Sequence, residues 1–167
     1  VPGSTLAASS IDAADGIPAD LRISVLAVES TSEGTADMTA ALQKVRDFAR
    51  EHDAILTVAD IGEDPVDADA LLQSALLDEP DVLVVLGGSL ASALDRVSAA
   101  NLGQQFLILG AQLPEPTENV TAVVWPGADT RGGDSAEPAL SARTGEALEV
   151  GLTAVAGLTT GIVVALP

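Results

Sequence analysis

Apolar positions along the chain fall into two alternating kinds of run. Short segments rich in β-branched residues have the length and composition of strands: "LRISVLAV" (21–28), "AILTVAD" (54–60), "DVLVVL" (81–86), "QFLILGA" (105–111), "NVTAVVW" (119–125) and "GIVVALP" (161–167). "DVLVVL" is apolar at nearly every position, the pattern of a strand buried on both faces. Between these runs the apolar spacing changes to that of a helix. Met38, Leu42, Val45 and Ala49, widened by Ala41 and Phe48, predict a helix over 35–52. Thr35 is its expected N-cap, with Asp37 in the first turn. Leu71, Leu72, Ala75 and Leu76 predict a second helix over 67–78. Leu90, Ala93, Leu94 and Val97 fall on one face of a third. "ALSARTGEALEVGLTAVAG" is apolar nearly all round and predicts a buried fourth helix.

The resulting order, β-α-β-α-β-α-β-β-α-β, predicts an α/β fold. Its core is a three-layer, doubly wound, mostly parallel sheet with the flavodoxin-like order 2-1-3-4-5 and right-handed crossovers. Residues 1–20, small and polar with two prolines, read as a flexible leader, and 21–167 as a single domain. Ligands of such sheets sit beyond the carboxyl ends of the strands, where the strand order reverses. The loops expected there are 29–34, 60–64, 87–89 and 110–112, with 125–131 beside them. The candidate ligand-binding residues are therefore Glu29, Ser30, Asp60, Gly87, Gly88, Ser89 and Trp125.

Composition narrows the chemistry. Apolar residues make up 47% of the chain, which excludes disorder over most of its length. There are 25 acidic residues against seven basic ones, for a formal charge of −18. Such a surface repels phosphate backbones and anionic headgroups, so nucleic acid is not an expected partner. The aromatic residues are Phe48, Phe106 and Trp125, too few for a flavin or nucleobase stacked between rings. Lys44, the single lysine, lies in a helical pattern. Cysteine is absent, so thiol catalysis, thiolate metal sites and disulfides are excluded. No basic stretch followed by an apolar one opens the chain, so no signal peptide is expected in it, which suits a mature exported protein and a trimmed chain equally. No residue from Val150 to Pro167 is charged, a run at the threshold of about 18 for a membrane span. Its three threonines, Gly157, Gly161 and the lack of a basic anchor favour a buried helix followed by a strand.

The candidate motifs each have two readings. Gly87-Gly88-Ser89 lets a ligand approach the backbone and offers a hydroxyl at a helix start; alternatively it is a tight turn with Ser89 as N-cap. It matches neither the phosphate-binding and dinucleotide-binding glycine loops nor the hydrolase nucleophile elbow. His52, the single histidine, closes the first helix on the side away from the ligand edge, where it favours the helix dipole rather than catalysis. Asp60, Glu63, Asp64, Asp67 and Asp69 read as a solvated acidic loop, part of which caps the second helix, rather than as a Ca²⁺ or Mg²⁺ site. A phosphoacceptor receiver would need an aspartate ending the third strand, where Leu86-Gly87 stands. Trp125 is either a stacking wall for a ligand or a cover for the core edge. No cofactor, metal or catalytic residue is predicted.

The stretch "PDVLVVLGGSLASALDRVSAANLGQQFLILGAQLPEPTENVTAVVW" (80–125) resembles the amino-terminal lobe of type I periplasmic binding proteins. The resemblance is closest to the basic membrane protein family of substrate-binding lipoproteins. Residues 80–110 and 119–125 carry it: an apolar strand ending in glycine, a helix, a "QF" strand, a loop with prolines and then "NV" followed by apolar residues. The element order agrees over about 21–167. It implies an exported domain, in the cell envelope or outside the cell, held to a membrane only through a lipid anchor outside this chain. It also implies a solute of the nucleoside or sugar class and a transporter of the ABC type. The chain ends about where the second lobe of such proteins begins, and the loop 126–138 departs from the family pattern. The aromatic residues that sandwich a base in nucleoside binders are absent from 29–34 and 87–90. A lobe without its partner would leave Ser89, Leu90, Leu113 and Trp125 on an open apolar face, for which a homodimer or another protein is the expected cover. The expectation is non-enzymatic binding at the carboxyl edge. The alternative is a small flavodoxin-like enzyme or regulatory domain using Ser89 and nearby acidic residues.

Overall fold

The computed structural model describes residues 1–12, 16–28, 35–61, 67–128 and 140–167. Seven strands, β1 (Ser4–Ala7), β2 (Arg22–Val28), β3 (Ile55–Ile61), β4 (Val82–Leu86), β5 (Gln105–Leu109), β6 (Val120–Val124) and β7 (Ile162–Ala165), form one sheet in the order β1-β7-β6-β5-β4-β2-β3. Every pairing is parallel. The expected order 2-1-3-4-5 is present as β3-β2-β4-β5-β6, and the reversal falls at β2, between β3 and β4.

Among the described residues four α-helices cover the two faces: α1 (Thr35–Glu51), α2 (Ala68–Leu76), α3 (Ala91–Ala100) and α4 (Leu140–Ala156). Alternation along the strands divides the core in two. Val82, Val84 and Leu86 of β4 pack with Leu42 and Phe48 of α1 and Leu148 and Leu152 of α4. Leu83 and Val85 pack with Leu72 of α2 and Leu94 and Val97 of α3. All five residues of β4 are buried, as expected of a strand sandwiched between helix layers. The apolar run after Val150 divides into the end of α4 and β7. Among the described residues no helix is long and apolar enough to cross a membrane.

The leader reading is corrected at residues 4–7. They form β1 and extend the sheet beyond β7, with the Gly3 N–H donating to the Gly161 carbonyl at 2.7 Å. "STLA" has no apolar alternation to reveal a strand; backbone pairing with β7 supplies the partner that the pattern lacks. Beyond β1, Ala8, Ile11, Ile17 and Leu21 pack against the α1–α4 side of the core.

Asp67 caps α2 as expected, its carboxylate accepting the N–H groups of Asp69 and Ala70 at 3.1 and 3.2 Å. Asn119, in the "NV" motif, is buried at the start of β6. Its amide nitrogen lies 3.0–3.1 Å from the carbonyls of Ser98, Asn101 and Gln104, and its oxygen accepts from the Thr117 hydroxyl at 2.6 Å. The motif asparagine thus ties the loop after α3 to the sheet.

Candidate functional site

The carboxyl ends of β4, β5 and β6 are built from two glycines and the tryptophan. Gly87 follows β4 with φ +75°, and Gly110 follows β5 with φ +79°, backbone conformations that disfavour side chains. The Gly87 N–H donates to the Leu109 carbonyl at 2.8 Å and the Gly110 N–H to the Val123 carbonyl at 2.9 Å, carrying the parallel ladder past the strand ends. Trp125 continues β6 and closes a turn in which the Ala128 N–H returns to its carbonyl at 2.8 Å.

The space beside the glycines is filled from within. A methyl group on Gly110 would stand 2.8 Å from Leu140 Cδ2 and 3.2 Å from the Trp125 ring. One on Gly87 would meet Leu140 Cδ1 at 3.4 Å. On this face the close approach expected for a ligand is therefore made by Leu140, the first residue of α4, and by Trp125. Trp125 is only 4% exposed, which makes it a core-edge residue rather than an open stacking wall. Its indole Nε1 is nonetheless buried without a hydrogen-bond partner among the described residues, an arrangement that normally costs about 1–3 kcal/mol.

Two of the helix starts at this edge differ. At α4 the N–H groups of Leu140 and Ser141 donate to the two carboxylate oxygens of Asp37 at 2.7 and 3.1 Å, and the Ser141 hydroxyl also donates to that carboxylate. The positive end of α4 is thus occupied by an internal anion. At α3 the N-cap position belongs to Leu90, not Ser89, and carries no side-chain cap. The Gly88 carbonyl instead accepts the Ala91 N–H at 3.0 Å. Gly88 is half-exposed and Ser89 exposed, so Ser89 presents its hydroxyl beside a helix start whose N-cap residue supplies no side-chain acceptor.

Of the remaining candidates, Glu29 and Ser30 lie outside the described residues, as do Glu63 and Asp64 of the acidic loop. Asp60 sits in β3 opposite Ala27 of β2, near the carboxyl end; its side chain is not described. The expected open apolar face is corrected: Leu90 and Leu113, like Trp125, are buried in the core, so the argument for a homodimer through them falls away. Among the described residues no group of acidic or histidine side chains is arranged to hold a metal. His52 follows α1 at the opposite edge, its ring tilted against Phe48 with centroids 4.2 Å apart, and its Nε2 lies 3.4 Å from Glu149. Ser89 and His52 thus stand at opposite ends of the strands and form no catalytic pair. Asp37, Leu140 and Ser141 are the residues that the sequence reading missed. Their signal was faint: an acid in a first turn and a serine at a helix start, which no spacing rule joins.

No family model matches this chain, and no curated protein does. Solved structures share its fold. A lipoprotein-like fragment from Peptoclostridium difficile 630 superposes with a TM-score of 0.60 at 16% identity, over 83% of this chain and 98% of its own. A solute-binding protein of an ABC transporter system from Aeropyrum pernix K1 gives 0.52 at 19% identity, over 63% of this chain and 29% of its own. A periplasmic ribose ABC transporter protein from Conexibacter woesei DSM 14684 gives 0.53 at 17% identity, over 90% of this chain and 55% of its own. The fold is that of a periplasmic-binding-protein domain. The alignment spans nearly all of the first neighbour but little more than half, or less, of the other two.

Proposed function

We propose that this chain is a non-enzymatic binding domain of the cell envelope or extracellular space. It takes a small neutral polar solute, of the sugar or nucleoside class, at the carboxyl edge of the sheet. The observation that carries this reading is the contrast between the two helix starts: Asp37 fills that of α4, whereas α3 begins without a side-chain cap beside the exposed Ser89. A solute oxygen there would accept from backbone amides and exchange a hydrogen bond with the serine hydroxyl. The internal carboxylate and the charge of −18 disfavour an anionic solute. The solute-binding and ribose-transporter neighbours support the class, and the lipoprotein-like neighbour supports the location. Assignment to the basic membrane protein family, and to a transporter partner, rests on the resemblance over 80–110 and 119–125. A catalytic role for Ser89 has no histidine to support it, since the single histidine is at the far edge.

Calorimetric titration with ribose, glucose and adenosine tests the proposal, with acetate and phosphate as anionic controls. The expected result is saturable binding of one neutral solute, lost in Ser89→Trp, with the solute recovered unchanged. Binding of the anions alone, or turnover of the solute, would overturn it.

A further inference from the structure

The opposite edge of the sheet carries a cavity of its own. The amino ends of β2 and β4 and the last turns of α4 line a half-open cleft of about 350 Å³. That is within the range of small-molecule sites, about 300–1,000 Å³. Its apolar wall is made by Leu21, Val82, Leu152, Val155 and Ala156. The first two lie at the strand starts and the other three on consecutive turns of α4, so the wall is part of the rigid core rather than a loop.

The polar side of the cleft has one sign. Asp20 and Asp81 line it, and no basic side chain does. Asp81 is held in place: one of its carboxylate oxygens accepts the Arg22 N–H at 2.8 Å, and the Asp81 N–H donates to the Arg22 carbonyl at 2.8 Å. Asp20 is held by its backbone, whose N–H donates to the Asp53 carbonyl at 3.0 Å. The negative end of the α4 dipole points to the same place, and the last turn of α4 contains no basic residue to offset it. One anchored carboxylate, a second exposed one and a helix end without a basic side chain therefore meet an apolar wall.

We propose that this cleft is a second binding site, separate from the carboxyl edge, for a small organic cation: a primary aliphatic amine. Its ammonium group meets Asp20 and Asp81, and its hydrocarbon chain lies along Leu152, Val155 and Ala156. The site is independent of the solute reading, because the two edges share no residue.

The test is calorimetric titration of the chain with n-pentylammonium, using 1-pentanol and pentanoate as matched neutral and anionic probes. The amine should saturate, the alcohol should bind about tenfold more weakly and the carboxylate not at all. Asp81→Asn keeps an acceptor for the Arg22 amide while removing the charge, and should weaken the amine about threefold. Ala156→Phe fills the half-buried end of the cleft and should abolish binding; Ser89→Trp, at the other edge, should leave it unchanged. Failure of the amine to saturate, equal affinity for amine and alcohol, or amine binding that survives Ala156→Phe in a folded variant would each overturn the proposal.

Discussion

Asp37 and Ser141 meet across more than a hundred residues of sequence: the carboxylate in the first turn of α1 accepts both the N–H and the hydroxyl of the serine at the start of α4. With the Leu140 N–H on the other oxygen, one side chain in the first turn of α1 caps the start of α4. It therefore fixes where α4 begins, and with it the position of Leu140 over Gly87 and Gly110. Asp37→Ala should destabilise the chain by about 1–2 kcal/mol, since it removes a cap and leaves part-buried amides without an acceptor. Ser141→Ala should cost less, because the backbone bonds survive. The double variant should fall short of the sum, as expected for residues in one network. Urea denaturation of the three variants measures this; an Asp37→Ala loss below about 0.5 kcal/mol would mean that water replaces the carboxylate without cost.

Asn119 has a structural duty of similar weight. Three carbonyls lie around its buried amide, and Thr117 donates to its oxygen. Asn119→Leu should cost about 2–4 kcal/mol, because several buried acceptors lose their donor together. Solute affinity at the carboxyl edge should be unchanged in whatever fraction remains folded. A loss of affinity without a loss of stability would return this motif residue to the binding machinery.

Two glycines should respond in opposite directions. Gly161 has φ +71°, and a methyl group there would stand 2.8 Å from Glu118 Cα and 3.0 Å from its carbonyl oxygen. Neither backbone atom can move away cheaply, so Gly161→Ala should cost about 2–3 kcal/mol. Gly145, inside α4, has nothing within 4 Å of its would-be methyl group. Gly145→Ala should stabilise by about 0.5–1 kcal/mol through helix propensity. Thermal melts of both variants decide the matter, and equal signs would contradict it.

The strands and helices that bury a regular stripe were legible in the sequence. β4 announces itself by five consecutive apolar residues, and α1 by its spacing from Met38 to Ala49. With those in place, the reversal beside β2 followed from topology alone. β1 was not legible, because four residues pairing along an edge need no apolar pattern. The site was legible only as an address. Gly87 and Trp125 do lie at the carboxyl edge, but what occupies the space beside Gly87 is Leu140, whose contact is set by long-range packing. The cap on α4 was hidden for the same reason: Asp37 has the right chemistry for its own helix, and nothing local shows that it serves another.

Trp125 separates packing from binding most cleanly. It is buried against Gly110, yet its indole N–H has no partner among the described residues. Trp125→Ala should cost about 3–5 kcal/mol, the usual loss for a large aromatic ring removed from a core. Trp125→Phe keeps most of the ring and removes the unpaired donor, so it should cost far less, within about 1.5 kcal/mol of the parent. If the N–H is also the group that meets the solute, the Phe variant will fold yet bind the solute about tenfold more weakly. As the chain's single tryptophan, residue 125 reports on this directly: its emission should be blue-shifted in the folded protein and change as solute saturates the carboxyl edge. Pentylammonium bound at the amino edge should leave that emission unchanged. Unaltered solute affinity in Trp125→Phe, with emission silent to every solute, would make the indole a packing residue alone and leave Ser89 and the first turn of α3 as the donor set of the carboxyl edge.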